Sequence, residues 1–576
     1  MTTNQKNNLD SWTVRKIAVV GPGIVGMPMA ALLAHARIKI GSNKPATVVV
    51  LQRSSPTSAW KVASINAGKS VIGGIEPELD KIVAESVAAG LLSASHDYGE
   101  ASNADVILIC VQTDKKGFGP DYGPLMESLE SLCGALKSKP ENSRPLIVFE
   151  STLAPSSMAT VIKDHFARFG LIDGRDILLG NSPNRVMPGR LVERVRASDK
   201  VVGGLSEEAA RKIKLLYSNI VTEGTLHVTN SFSAEIIKTL ENAYRDVRIA
   251  FSTEIVRYCD EHDIDFYAVR DAVNTKCNQS DSASNDPNAV PSGGLLVPTI
   301  GVGGHCLPKD GILLLWRQIE SKADMSNSLI LQSRKINDES PAQTIRLAER
   351  CFGALDGAAV ALLGAAYRFN SEDTRNSPTL PLARLLLDKQ YVVSIHDPFV
   401  KPGDQNLAKF GLRDHFSNDL DKSVASAGYI IFCTAHRAYA EQVKHILAAS
   451  GRLKGVVDGC NLFPAGGLAL AANIKWTGIG KGHGPAPAGF VDFVYDSFRI
   501  VERGVASEVK RYIDFANKTY ALDEFNAVSF QTVKRIAGTC VTGCAIADYS
   551  PVGNAPSFNG FVSRLATCAE KAWKAS

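Results

Sequence analysis

Runs of consecutive apolar residues, alternating with longer stretches of helical spacing, dominate the first part of the chain. Lys16-Ile-Ala-Val-Val20 reads as a strand, Gly21 to Gly26 as a turn, the Ala/Leu-rich stretch to Ala36 as a helix, and Thr47-Val-Val-Val-Leu51 as a second strand. Further apolar runs at Asp105–Val111 and Leu146–Glu150 lack polar alternation, the pattern of parallel strands covered on both faces. This first α/β domain extends to about residue 228. Ser231 to Tyr258 contains neither Pro nor Gly and carries Ile236, Ile237, Leu240, Ala243, Val247 and Ile249 at helical spacing, which predicts one long helix. The turn-rich stretch Asn278 to Gly294 reads as a surface loop. A second α/β pattern follows. Strands are expected at Ala358–Leu363, Tyr391–Ile395, Gly428–Thr434, Gly455–Val457 and Lys475–Ile479, with a helix from about Leu380 to Lys389. Pro485–Pro487 marks a linker, and Val505 to Lys518 and Val528 to Ile536 have helical character.

The expected fold is α/β: two Rossmann-like doubly wound domains joined by a long central helix, with a mainly helical C-terminal extension. The expected boundaries are 1–228, 229–338, 339–484 and 485–576, the last with no role assignable from sequence. A length of 576 residues excludes a single small module. A net charge of +4, with 45% hydrophobic and 21% charged residues, excludes a polyelectrolyte and gives no nucleic-acid reading. No run approaches the roughly 18 to 20 apolar residues of a membrane span, and no targeting signal is recognisable, so a cytoplasmic protein is expected. The 11 cysteines are scattered, with no CxxC pair. Neither a disulfide framework nor a metal site is therefore expected.

Gly21-Pro22-Gly23-Ile24-Val25-Gly26 lies between a predicted strand and a predicted helix, the context in which glycines let the backbone approach a pyrophosphate. A tight packing turn is the alternative. The second strand ends in Leu51-Gln52-Arg53-Ser54-Ser55, without the acidic residue that binds a ribose 2′-hydroxyl. Gln52 could hydrogen-bond the ribose, or Arg53 a 2′-phosphate, which leaves NAD favoured and NADP open. In Val302-Gly303-Gly304-His305-Cys306-Leu307-Pro308-Lys309-Asp310, a thiol follows flexible glycines among polar and cationic neighbours, a setting for a nucleophile. Lys238, Asn242 and Arg245 fall on one face of the central helix. They form either a solvated stripe or a set aimed at a developing oxyanion.

Together these residues resemble the UDP-glucose/GDP-mannose dehydrogenase family over about 15–482. The motifs are GPGIVGMPMA at 21–30, VQT at 111–113, ESTLAP at 150–155, SPNRVMPG at 182–189, AEIIKTLENAYRDVRIAFSTEI at 234–255, GVGGHCLPKD at 301–310 and GAAYRFNSEDTRNSPTLPL at 364–382. RVxPG, ENAYRDV and GGHC resemble the UDP-N-acetylhexosamine branch, with UDP-N-acetylmannosamine favoured over UDP-GlcNAc or UDP-glucose. The resemblance implies four-electron oxidation of the sugar 6-hydroxyl with NAD, in a homodimer or larger homo-oligomer, for polysaccharide biosynthesis. Cys306 is then the nucleophile, Lys238 and Asn242 stabilise oxyanions, Asp310 is the acidic partner and Thr152 holds the water. Cofactor contacts fall to Gly21, Gly23, Ile24, Val25, Gly26, Gln52, Arg53, Thr113 and Glu150. Substrate contacts fall to Asn184, Arg185, Val186, Arg245, Gly303, Gly304, His305, Tyr367, Arg368 and Arg375. Asn184 stands where the family carries a glutamate; an amide takes no proton at neutral pH. Water activation then passes to Asp310 and Thr152, or hydrolysis is slow. A two-electron or NADP-linked oxidation and a non-catalytic nucleotide-sugar scaffold are the competing readings.

Overall fold

Why the strands read as unbroken apolar runs is visible in the first sheet. Alternate residues go to two different cores: Ile17, Val19, Val48, Val50, Val106, Leu108, Leu146 and Val148 to one, and Ala18, Val20, Val49, Leu51, Ile107, Ile109, Ile147 and Phe149 to the other. Both faces are covered, so neither can be polar. In the computed structural model, residues 12–575 are described except 187, 278–293, 356–357, 464–467, 469, 522 and 541–543. The expected loop at Asn278–Gly294 lies, but for Gly294, outside the described residues.

In chain order the strands of this half are β1 (Lys16–Val20), β2 (Thr47–Leu51), β3 (Leu92–Ser95), β4 (Val106–Ile109), the hairpin strands β5 (Asp114–Lys116) and β6 (Gly119–Asp121), β7 (Leu146–Phe149), β8 (Leu178–Asn181), β9 (Lys200–Gly204) and β10 (Leu226–Asn230). The sheet order is β10-β9-β8-β7-β4-β1-β2-β3. Only the β8–β9 pair is antiparallel within it. The order reverses between β1 and β4, and a doubly wound sheet binds ligands outside the strand ends at such a point.

The second sheet holds β11 (Ala359–Leu363), β12 (Val392–His396), β13 (Phe416–Ser417), β14 (Ala427–Phe432), β15 (Gly455–Asp458) and β16 (Lys475–Gly478). Its order is β13-β12-β11-β14-β15-β16, parallel throughout. Its reversal falls between β11 and β14, where Gly364 (φ 112°) leaves so little room that an added Cβ would lie 2.4 Å from the Thr434 side chain.

The chain divides into two compact units. One comprises Met1–Glu241, Ile312–Ala323 and Val509–Ala545, the other Asn242–Gly311, Asp324–Glu508 and Ile546–Ser576. The segments expected as a central domain and a tail are thus shared out between the units. The central helix runs Ser231–Glu261. Between 231 and 256 only residues 238, 242, 245 and 249 are not buried, one half-open stripe on an otherwise covered helix. The extension forms a 31-residue helix, Phe490–Tyr520, and two shorter ones, Phe530–Ala537 and Arg564–Lys574. In the second unit Phe498 packs on Phe251 (centroids 5.6 Å) and Phe490 stacks on Tyr258 (5.0 Å). The Glu254 carboxylate accepts the Arg564 and Leu565 N–H groups and the Ser563 hydroxyl, capping the last helix. In the first unit the Asn230 amide donates to the carbonyls of Phe525 and Ala527.

Candidate functional site

At the β1–β4 reversal, the glycines of the first turn have distinct physical tasks. Gly21 has φ 93°, and a Cβ on it would lie 3.0 Å from the Cys110 carbonyl oxygen that follows β4. A Cβ on Gly26 would lie 2.0 Å from the Gly21 oxygen, so only glycine permits the close start of helix Gly26–His35. Gly23 faces open space, with nothing within 4 Å of the place a Cβ would take. Ile24 and Val25 complete the turn, and Val25, at the helix N-cap, offers no side-chain cap. The turn therefore leaves backbone room and helix N–H groups for an anionic dinucleotide, and the residues fit that group. Beside it, the Thr113 hydroxyl donates to the Thr152 carbonyl at 2.7 Å and the Ser151 hydroxyl to the Val111 carbonyl at 2.6 Å, tying the ends of β4 and β7 together. At the end of β2, Gln52 turns its amide onto the Arg53 carbonyl and Ser58 hydroxyl, while Arg53 pairs with Glu127.

Glu150, expected at the cofactor, is instead sealed in: its side chain is 0% exposed and Lys200 pairs with it at 2.8 Å. Tyr217 donates to the other carboxylate oxygen, and the Asn184 amide donates at 3.1 Å to the oxygen Lys200 uses. Burial pulls the Lys200 ammonium down and pushes the Tyr217 phenol far up. Burial and the Glu150 charge do the same to the Cys110 thiol. The Asn184 carbonyl oxygen is also engaged, accepting the Val186 N–H at 3.1 Å. Arg185, expected at the substrate, uses all five of its donors within the unit. They go to both Glu241 oxygens, the Asp199 carbonyl, the Thr539 hydroxyl and the Ile536 carbonyl. No donor is left for a ligand, so Arg185 fastens the extension to the core.

The loop that carries Thr152 is held from several sides. Glu235 accepts the Ser156 and Met158 N–H groups, each at 2.8 Å, and Ser156 sits at φ 77°. The Trp316 indole donates to the Pro155 carbonyl, and Arg317 donates to the hydroxyls of Ser156 and Thr160 while lying over the Trp316 and Tyr520 rings. Burial pushes the Glu235 carboxyl up to about 8, against the pull of those N–H groups and Arg317. A carboxyl raised in the folded state binds its proton more tightly there than when unfolded, so stability is lost as pH rises from the ordinary carboxylate range through about 8. Urea midpoints should therefore fall between pH 5 and 8.5, and Glu235→Gln should flatten the decline. A wild-type midpoint that rises over this range would refute the assignment.

In the second unit, Gly303 and Gly304 lie against Tyr367: a Cβ on Gly303 would come 2.4 Å from the Tyr367 Cβ. Gly304, at φ 90°, donates its N–H to the Arg375 carbonyl, and the Asn376 amide donates back to the Gly304 carbonyl, both at 2.9 Å. His305 follows, half-buried. The Cys306 carbonyl accepts the Lys309 and Asp310 N–H groups, so Cys306 stands at the start of helix Leu307–Glu320, at the positive end of its dipole. Asp310 is fully buried, with one oxygen taking the Lys309 ammonium at 2.8 Å and the other the Asn242 amide at 2.6 Å. Arg375 chelates Asp373, and both Tyr367 and Arg375 lie within electrostatic reach of Cys306. Burial pushes the Tyr367 phenol up to about 12. Arg368 packs over Phe369, centroid 5.3 Å away. Lys238 and Arg245 lie on the half-open stripe of the central helix with Asn242. Lys238 makes no hydrogen bond or ion pair among the described residues. Lys200, Tyr217, Glu235, Asp373 and Asn376 escaped the sequence reading. Lys200, Tyr217, Glu235 and Asn376 act on residues far away in the chain, so no local spacing announces them, while Asp373 acts on Arg375 two residues on. No cluster of three metal ligands occurs among the described residues.

A glycine turn fit for a dinucleotide lies in one unit, and a thiol at a helix start near an arginine chelated by Asp373 lies in the other. Residues 15–221, 232–339 and 361–465 match the NAD binding, central and UDP binding domains of the UDP-glucose/GDP-mannose dehydrogenase family. The chain belongs to that family and is an NAD-dependent nucleotide-sugar dehydrogenase. It is 30% identical over 474 residues to a UDP-N-acetyl-D-mannosamine dehydrogenase of Pyrococcus horikoshii, covering 81% of this chain and 99% of the relative. It is 28% identical to an NDP-N-acetyl-D-galactosaminuronic acid dehydrogenase of Ralstonia nicotianae, covering 67% and 84%. Among solved structures, the Pyrococcus horikoshii UDP-D-ManNAc dehydrogenase superposes with a TM-score of 0.67 at 29% identity, covering 81% and 99% of the two chains. The NDP-N-acetyl-D-galactosaminuronic acid dehydrogenase of Methanosarcina mazei Go1 gives 0.65 at 29% identity, covering 84% and 98%. No helix among the described residues is long and apolar enough to cross a membrane.

Proposed function

We propose that the protein oxidises the 6-hydroxyl of a UDP-N-acetylhexosamine, UDP-N-acetyl-D-mannosamine first, to the uronate in two steps through Cys306. The observation that carries this is Cys306 at a helix start, on a glycine loop bound to Arg375 and Asn376. One frame thereby holds a nucleophile and a cation suited to a diphosphate. Bound nicotinamide cofactor supplies the hydride acceptor. In the first step the 6-hydroxyl loses a hydride and a proton to give the aldehyde. The Cys306 sulfur then bonds to the aldehyde carbon, and Lys238 and Asn242, one helical turn apart, offer N–H groups to the resulting oxyanion. Asp310 fixes the Asn242 amide for that task. Loss of a second hydride turns the thiohemiacetal into a thioester. Water, held by Thr152, adds to it and expels the thiol. The balance is one alcohol, one water and two NAD⁺ to one carboxylate, two NADH and three protons.

An Asn184 amide engaged by Glu150 and Val186 favours slow hydrolysis as the second reading, and the same experiment separates the two. With limiting UDP-N-acetyl-D-mannosamine, two NADH per sugar are expected. One NADH per sugar would mean the reaction stops at the aldehyde, two NADH per active site followed by arrest would mean it stalls at the thioester, and none with this sugar, UDP-GlcNAc or UDP-glucose would refute the proposal. The reading carries with it a cytoplasmic homo-oligomer, to be checked by fractionation and light scattering.

A further inference from the structure

The end of β2 holds a feature that NAD binding does not require. A dinucleotide site that rejects a 2′-phosphate does so with a carboxylate at this point, which binds the ribose hydroxyl and repels the extra anion. Here the position is Gln52, and its amide is turned away onto the Arg53 carbonyl (2.9 Å) and the Ser58 hydroxyl (3.2 Å). The residues that follow form a small knot of hydroxyls: Ser55 to Ser58 at 2.6 Å, Ser55 to Thr57 at 3.3 Å, and Ser58 onto the Arg53 carbonyl at 3.0 Å. Arg53 and Ser54 are exposed beside it. The next turn brings Lys61, whose N–H donates to the Ser58 carbonyl at 3.1 Å. Its ammonium is half-buried and has no carboxylate partner among the described residues; burial pulls it down.

Charge along the chain points the same way. From Ser11 to Ile75, the whole βαβ unit around the cofactor turn, there are eight Lys and Arg residues and no Asp or Glu. The acid that does approach is Glu127, which pairs with Arg53 where both side chains are more than half exposed (56% and 57%). So exposed a pair is weak and releases its arginine at little cost. A phosphate dianion would gain a guanidinium, an ammonium and several hydroxyl donors here, the donor set that phosphate recognition uses.

We propose that the Gln52–Lys61 segment receives the 2′-phosphate of a nicotinamide dinucleotide, so that NADP⁺ is a second cofactor for this enzyme. Arg53, Lys61 and the Ser54, Ser55 and Ser58 hydroxyls determine that specificity. The proposal rests on the Gly21–Gly26 turn being the dinucleotide site, and the test keeps the two apart. Calorimetric titration of the full-length protein with 2′,5′-ADP and with 5′-ADP is expected to give 2′,5′-ADP the equal or tighter affinity, with the steeper salt dependence. Arg53→Ala should lower the ratio of the two affinities about tenfold, one charge-assisted contact's worth, and Lys61→Ala should lower it as well. Arg53 is exposed, so its removal leaves the fold intact. If 2′,5′-ADP binds wild-type protein tenfold or more weakly than 5′-ADP, or if neither variant changes the ratio, the 2′-phosphate site is refuted while the dinucleotide site stands. Binding of neither nucleotide would overturn both.

Discussion

Replacing Cys306 with serine should lower four-electron turnover by roughly 10³-fold or more, because a hydroxyl at neutral pH is a far weaker nucleophile than a thiolate. Folding should survive. The residue's structural task is to start helix Leu307–Glu320 through its carbonyl, which accepts the Lys309 and Asp310 N–H groups, and serine is a good residue at a helix N-cap. The nearby Gly304–Arg375 and Asn376–Gly304 bonds involve backbone and neighbouring side chains that the substitution leaves alone. UDP-sugar binding, followed by calorimetry, should therefore stay within a few fold of wild type while NADH formation collapses. Full turnover in Cys306→Ser would remove the thiol from the reaction.

The other large effect is expected in the first unit. Lys200→Met should destabilise the protein by about 3–5 kcal/mol, since removing one partner of a buried pair strands the other charge. Glu150 has no exposed side-chain surface, and its remaining partners, Tyr217 and Asn184, are neutral donors. At that size the thermal midpoint should drop by roughly 10 °C. Glu150→Gln combined with Lys200→Met should recover most of the loss, because the pair is then replaced by neutral groups of similar volume. A single Lys200→Met variant as stable as wild type would mean the pair is solvated after all.

β9 pairs antiparallel with β8, Gly180 against Gly204 and Asn181 against Gly203, and from the start of β9 Lys200 reaches the Glu150 carboxylate and the Ser182 carbonyl. That antiparallel pairing, invisible in the spacing of the motifs, brings a lysine onto the carboxylate oxygen that the Asn184 amide also uses. Arg185 illustrates the converse. Its motif marks it as functional, yet the Asp199 carbonyl, Glu241, nearly sixty residues on, and the extension at Ile536 and Thr539 consume every donor it has. The extension was legible only as helical residues of unknown purpose. Its first helix begins at Phe490 rather than near Val505, since Phe490 and Phe498 gain their burial from Tyr258 and Phe251 on the central helix. No local pattern carries that partner.

The two doubly wound sheets, the central helix, the glycine turn at 21–26 and the Cys306 loop can be read from the amino-acid order. These depend on local chemistry: apolar runs, backbone freedom and helical spacing, all set by residues near one another in the chain. That Glu150 and Arg185 are spent inside the protein, that Glu235 holds the Thr152 loop, and that Lys309 and Asn242 share the Asp310 carboxylate depends on the folded chain. The state of a buried charge is set by the groups that surround it in space, because desolvation and hydrogen bonding act over a few ångströms and take no account of distance along the chain.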